Sequence, residues 1–502
     1  MPLLCGIDVG TTGLKLGIFN AEGQPQGICP VEYAFRSPRE GFAEMEGEVY
    51  WQALKTGLLE CCRQGRCEPS QIEAIGISST GQAFLFVDEA GRELTPMIVW
   101  LDRRGDEFVP ELYRRFRIRS YYLKTGIPQF VGLTTLPKLM WFKHYQPELL
   151  ERAARIVLID AYVIGRLTGR WVGSDNIADS AGMWNPLKGR WLPEMLKLLG
   201  VKGNRFNDIR CPGEVGANVS ARAAAETGLR EGVPVVVGAN DQIAGMLGSG
   251  NVEPGILTDT TGTALGAFAT ATEAPKPHSK GPWPAWSLST IPGLYNVASF
   301  CNTSGILLKW LRESIGFSET YDEMARLAAT SPPGSSGITV CPHYEGTMFP
   351  DPLPNSSGII AGLRLRHRKA DLLRAFFEAV AFCLRENVEF LSAYSTANRI
   401  RSMGGAAKSA FWLQMKADVI GLPVEKPQCQ EASILGDALL AGKAIGLYPS
   451  LAEAAKNIVK IERVFEPNPA LKPAYDEAYA RYRELVRRNF QPASAKTRSG
   501  YS

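Results

Sequence analysis

Cys5-Gly6-Ile7-Asp8-Val9-Gly10-Thr11-Thr12-Gly13-Leu14-Lys15-Leu16-Gly17-Ile18-Phe19-Asn20 runs apolar into one carboxylate, turns through Gly-Thr-Thr-Gly, and resumes as the alternation Leu14, Leu16, Ile18. That pattern predicts a half-buried hairpin with a polar tip. Gly10 and Gly13 let the backbone bend and approach a ligand. The Thr11 and Thr12 hydroxyls and the loop N–H groups offer donors to phosphate oxygens. Asp8, at the strand end, suits a hydrated magnesium ion, which is usually bound by one or two carboxylates plus substrate phosphates. An ordinary glycine-rich hairpin with an incidental acid would read the same way.

The order returns at Gly255-Ile256-Leu257-Thr258-Asp259-Thr260-Thr261-Gly262-Thr263-Ala264-Leu265-Gly266 as strand, Asp, two Thr, Gly, strand. Two such hairpins facing across a cleft would hold one polyphosphate from both sides. With both in place, the chain resembles the FGGY carbohydrate kinases from about Leu4 to about Pro449. The resemblance implies an α/β, two-lobed actin/hexokinase-type ATPase fold with a ribonuclease H-like motif in each lobe. It also implies ATP and Mg2+ as cofactors. On this reading residues 1–250 form the N-terminal lobe, 251–465 the C-terminal lobe, and 466–502 a C-terminal helix and polar tail, with Gln491–Ser502 disordered.

Length and composition narrow the classes. A chain of 502 residues suggests two to four domains, and 45% hydrophobic with 21% charged residues is the balance of a soluble globular protein. A net charge of +4 leaves no nucleic-acid footprint, and the cluster Arg364, Arg366, His367, Arg368, Lys369 reads as a solvated strand or turn. No apolar run approaches the ~20 residues that span a bilayer, and Asp8 arrives before a signal-peptide core, so a cytoplasmic location is expected. The ten Cys and four His show no metal-ligand spacing, and buried or surface thiols are the expected reading.

Along the chain, residues 49–64 have helical spacing with Trp51, Leu54, Leu58 and Leu59 on one side. Ile72–Ser78 reads as a buried strand that puts Gln82 at a strand-loop edge, where α/β sheets place ligand-facing side chains. Asp102 and Arg103 follow the apolar stretch Ile98–Leu101; they suit hydroxyl recognition or a plain surface ion pair. The resemblance places them near the sugar, matches Lys138 and Trp141 to a family signature, and makes Ser174–Trp184 a sugar-pocket wall. Val233–Asn240 is a continuous apolar run, hence a strand buried on both faces. Asp241 follows it, and the resemblance makes Asp241 the catalytic base, with Gln242 beside it at the substrate. An N-cap is the plainer role for such an acid.

In the C-terminal lobe the resemblance assigns Gly262, Thr263, Gly305 and Lys309 to the nucleotide phosphates, and Gly404, Gly405 and Ser409 to an adenosine motif ahead of a helix from Ala410. Thr347 and Met348 depart from the family's usual Glu-Arg. Ile360–Leu365 and the helix Ala370–Leu391 are read as core.

Phosphoryl transfer asks a protein mainly for positioning and charge neutralisation, plus one carboxylate to take the hydroxyl proton. Gly81-Gln82 stands where related kinases carry Met-His or Arg-Glu. Neutral Gln82 suits an uncharged ketose or polyol, and Gly81 is expected to leave room for a larger acceptor. A pentulose such as xylulose is the first expectation, and a polyol such as erythritol or glycerol the second. A catalytically inactive nucleotide-binding regulator of the same fold is the reading from another class. The expected partner is the small-molecule substrate, with no nucleic acid and no membrane; a homodimer is expected by analogy.

Overall fold

The computed structural model describes residues 2–278 and 281–490; the tail Gln491–Ser502 lies outside the described residues. Contacts divide the chain into two compact units. The first comprises Met1–Val252, Ser287–Leu294 and Glu431–Val459; the second comprises Glu253–Trp286, Tyr295–Gln430 and the residues from Lys460 onward. The uninterrupted lobe expected over 251–465 therefore gives way, because Glu431–Val459 packs with the first unit.

The first unit is built on a six-stranded sheet of β1 (Leu3–Val9), β2 (Gly13–Phe19), β3 (Pro25–Glu32), β4 (Ile72–Ser79), β5 (Val215–Asn218) and β6 (Pro234–Asn240). Its order is β5-β6-β4-β1-β2-β3. Strands β1, β4 and β6 are parallel, whereas β2, β3 and β5 are antiparallel to their neighbours. Ile7, Ile75, Ile77, Val235 and Val237 are all buried, as continuous β-branched runs in a covered parallel sheet require. The Gly47–Gly65 helix packs on β2 and β3 and buries Trp51, Leu54 and Leu58. Leu59, read from its spacing as part of that face, is instead exposed, because it follows Leu58 by about 100° around the helix.

The second unit carries a seven-stranded sheet of β7 (Ile256–Thr261), β8 (Leu265–Ala271), β9 (Ala285–Leu288), β10 (Tyr295–Cys301), β11 (Arg399–Met403), β12 (Val424–Pro427) and β13 (Ile461–Phe465), in the order β9-β10-β8-β7-β11-β12-β13. Its central run β10-β8-β7-β11-β12 repeats the succession β3-β2-β1-β4-β6 of the first sheet. In both, an antiparallel trio leads into parallel neighbours. The Asp-Thr-Thr-Gly echo is thus the sequence trace of a repeated βββ unit. The Lys369–Leu391 helix buries Leu373, Phe376, Phe377, Val380 and Leu384, as its period requires. The stretch Ile360–Leu365 is not core: only Ile359–Ala361 pairs, with Thr339–Cys341, and Leu363 and Leu365 face solvent in a turn. The basic cluster that follows is solvated.

Candidate active site

Parallel β1, β4 and β6 end on one edge of the first sheet. Asp8 stands opposite Ser78, and Asn240 opposite Ser79, so that edge receives Asp8, the Ser79–Gln82 loop and Asp241 together. Asp241 is the first residue of the Asp241–Gly248 helix, where the Asn240 side chain accepts the Gln242 N–H as cap. The Asp241 Oδ1 accepts from the same N–H at 2.8 Å. Burial and then the Asp8 charge push the Asp241 carboxyl up to about 7, against the pull of Gln242 and Lys15. Asp8 is also raised by burial; its Oδ2 accepts from Ser433 Oγ at 2.7 Å. The Asp8 Oδ1 is buried with no hydrogen-bond partner. A buried carboxylate oxygen left unpaired is costly, and a hard cation would satisfy it, so the donor set fits magnesium.

The Ala432–Ala444 helix, which the sequence reading placed in the other lobe, supplies Ser433. It reaches the strands because glycine leaves room. A Cβ on Gly6 would sit 1.9 Å from the Ile434 carbonyl oxygen, and one on Gly76 would sit 2.1 Å from that of Asp437. The same helix brings a third acid, Asp437, into the core. Ser78 Oγ donates to its Oδ2 at 2.6 Å, its Oδ1 has no partner, and burial raises it well above the carboxylate range. Neither Ser433 nor Asp437 could be placed from sequence, since each lies more than 350 positions from the residue it bonds.

The first hairpin tip is a tight turn in which Gly10 N–H donates to Gly13 O at 3.0 Å; a Cβ on Gly10 would lie 2.6 Å from that oxygen. Thr11 Oγ1 accepts from the Trp100 indole at 2.5 Å, Thr12 is exposed, and Lys15 pairs with Glu431 at 2.7 Å. The second hairpin differs. Asp259 is fully buried against Lys416, Ser402 and Thr261, so the echo keeps the fold but not an open carboxylate. Within the second unit Ser304 N–H donates to Thr263 O at 3.0 Å, and a Cβ on Gly305 would lie 2.5 Å from Gly262 O. Gly262, Thr263 and Gly305 therefore form one small surface. Lys309 is exposed one turn along the Ile306–Glu313 helix, 3.8 Å from Glu313. Gly404 adopts φ 78°, a conformation favouring glycine, and Gly405 is exposed; Ser409 caps the Ala410–Ile420 helix through the Trp412 N–H.

Around the acceptor end, the Gln82 backbone sits in the left-handed region at φ 66°. It is held there from two sides: its N–H donates to Ser180 Oγ at 3.0 Å, and its carbonyl accepts from Lys138 Nζ at 3.3 Å. Lys138 also donates to the Val99 and Trp100 carbonyls, and burial lowers it to about 7. The space expected beside Gly81 is filled, because a Cβ there would lie 2.3 Å from Ser180 Oγ. Gly81→Met is therefore expected to cost about 1–3 kcal/mol in urea unfolding, with recovery in the Gly81→Met/Ser180→Gly pair. No recovery would show that Ser180 is not the obstacle. Asp175 is pushed up to about 6 and Asp179 well above its usual range by burial, and the Asn176 Oδ1 and Asp179 Oδ1 have no partner.

Of the two readings the sequence offered, Arg103 takes the plain surface ion pair and Asp102 takes neither. Asp102 is fully buried, and its two oxygens accept from the Ala43 and Arg104 N–H groups and the Arg104 guanidinium. It anchors a loop and leaves no oxygen open to a sugar. Arg103 points outward and pairs with Asp106 at 2.8 Å. A groove of about 630 Å³ lined by Phe108, Met140 and Leu198 shares no residue with the acid-bearing edge. No helix among the described residues is long and apolar enough to cross a membrane.

Residues 3–248 match the N-terminal domain, and residues 257–445 the C-terminal domain, of the FGGY family of carbohydrate kinases. The chain is 27% identical to a gluconokinase of Bacillus subtilis, over 89% of this chain and 88% of that one. It is 26% identical to a xylulose kinase of Staphylococcus epidermidis, over 97% of each. Among solved structures, a xylulose kinase from Lactobacillus acidophilus superposes with a TM-score of 0.88 at 24% identity, over 97% of this chain and 98% of that one.

Proposed function

Because the chain belongs to the FGGY family of carbohydrate kinases, with its actin/hexokinase-type fold, we propose that it phosphorylates a primary hydroxyl of a free, uncharged sugar, a pentulose such as xylulose first among them, with ATP as donor. It is a phosphotransferase with an alcohol group as acceptor. The observation that carries the reading is the delivery of Asp8 and Asp241 to one sheet edge with different surroundings. Asp241 orients the acceptor hydroxyl and takes its proton, a role suited to a carboxyl raised toward neutrality. Magnesium at the open oxygen of Asp8 would neutralise charge on the phosphates. The N–H groups and hydroxyls of Thr11 and Thr12, on the turn that Gly10 closes, bind phosphate oxygens in the first unit with Lys15. Gly262, Thr263, Gly305 and Lys309 serve the phosphates in the second, and Gly404, Gly405 and Ser409 the adenosine.

A neutral acceptor follows from the charges. Gln82 both donates and accepts, the wall carries the buried acids Asp175 and Asp179, and the Lys138 ammonium is spent on three backbone carbonyls. The carboxylate of gluconate would meet Asp175, the one of these acids that ionises below neutral pH, and no free cation among these residues. One observation favours a smaller polyol such as erythritol or glycerol as second reading: Ser180 occupies the room beside Gly81. Comparing kcat/KM for xylulose, erythritol, glycerol and gluconate in a coupled ADP assay tests the order. The proposal expects xylulose to lead and gluconate to trail by at least about tenfold, the effect of about 1.4 kcal/mol; gluconate in the lead would overturn it.

The paired acids also predict a pH effect on stability. Asp241 titrates near 7 in the folded chain and at 3.8 when unperturbed. Between these values the folded chain holds a proton that the unfolded chain has released, so stability falls as pH rises through that window. Metal-free protein is expected to lose thermal stability between about pH 4 and pH 7 through this group, and magnesium is expected to raise Tm more at pH 8 than at pH 5. In Asp8→Asn the magnesium effect disappears; a full magnesium effect in that variant would remove Asp8 from the metal site.

A further inference from the structure

Inside the second unit three elements bring soft donor atoms together away from solvent. Cys301 ends β10, His343 lies just beyond the Thr339–Cys341 strand, and Cys383 sits mid-way along the Lys369–Leu391 helix. They are 1%, 3% and 2% exposed, and their donor atoms all lie within 4.8 Å of one another. The two sulfurs are 3.8 Å apart. Zinc–thiolate bonds of about 2.3 Å at tetrahedral angles set a sulfur–sulfur edge of about 3.8 Å, whereas a disulfide needs about 2.05 Å.

The surroundings agree with that spacing. Tyr482 Oη lies 3.4 Å from Cys383 Sγ and 3.3 Å from His343 Nε2, distances that suit a fourth corner. It is held there by its hydrogen bond to Glu386 Oε2 at 2.7 Å, as outer-shell carboxylates commonly hold the groups around a metal. Two thiols and an imidazole are the donors that zinc selects over magnesium or calcium.

We propose that Cys301, His343 and Cys383 bind one zinc ion, with Tyr482 at the fourth corner. Binding converts both thiols to thiolates and releases their protons to solvent, so affinity rises with pH. The closed, buried donor set makes the site structural. It ties the end of β10, just ahead of the Thr303–Gly305 turn, to the Lys369–Leu391 helix and to the Lys472–Asn489 helix that carries Tyr482. The sequence hides it because the two cysteines are 82 positions apart.

The test uses the full chain produced with added zinc and freed of any histidine tag. Metal analysis is expected to find one zinc per chain, kept in Cys211→Ser, which removes an exposed thiol, and lost in Cys301→Ser and His343→Ala. Cobalt added to the metal-free wild-type chain is expected to give a sulfur-to-cobalt charge-transfer band that weakens in Cys383→Ser. Should the core variants fail to fold, the wild-type chain still decides. A chelator should lower its Tm and zinc should restore it, with the cobalt band present. Metal well below one equivalent after reconstitution, a cobalt spectrum without the charge-transfer band, metal that follows Cys211 instead, or a Cys301–Cys383 disulfide in peptide maps would each overturn the proposal.

Discussion

Asp241→Asn is expected to lower kcat by about 10²–10⁴-fold, the range that a positioned general base supplies. The amide keeps the shape and the Oδ1 that accepts the Gln242 N–H, so the Asp241–Gly248 helix start is preserved. What is lost is the ability to take a proton. The electrostatics change as well, because the Asp8 charge no longer faces a titratable carboxyl at position 241. Magnesium and nucleotide binding are therefore expected to hold or tighten while turnover collapses. ADP release under saturating acceptor, alongside a direct nucleotide-binding titration, reads both. A loss below about tenfold would assign Asp241 to the helix cap alone.

The second large effect falls on stability. Asp102→Ala is expected to cost about 3–5 kcal/mol in urea unfolding, because it leaves the Arg104 guanidinium buried without its main counter-charge. Arg104 lies over the Phe42 ring at 4.1 Å and near Trp141 at 5.0 Å, and it also reaches Glu44, so one ion pair organises several segments of the first unit. Asp102→Ala with Arg104→Met is expected to recover part of the loss by removing the unpaired charge. Were Asp102 a sugar ligand instead, the single variant would raise KM and leave the unfolding midpoint in place.

These two residues show how far the sequence could be read. Asp8 and Asp241 were legible because the signal is local: an apolar strand, then an acid, then a turn or a helix start. The repeated sheet was legible for the same reason, since Asp259 and its flanking threonines copy the order of the first hairpin. Asp102 was misread because its burial has no local mark: Arg104 is two positions on, but the Ala43 N–H that closes the pocket comes from 59 positions away. The placing of Glu431–Val459 in the first unit rests on contacts such as Ser433 to Asp8, which no spacing rule reaches. Gly81 read as room, and only the fold shows Ser180 in it. Leu363 and Leu365 read as core by periodicity, but the strand pairing stops at Ala361 and both stand in solvent.

Acceptor-dependent ADP release by the full chain with MgATP and xylulose, with Asp241→Asn run beside it, decides whether this chain is a sugar kinase. Release is expected to require the sugar, to yield a product phosphorylated on a primary hydroxyl, and to be lost almost completely in the variant. Release that is the same with and without any neutral sugar, or that survives in Asp241→Asn, would contradict that reading.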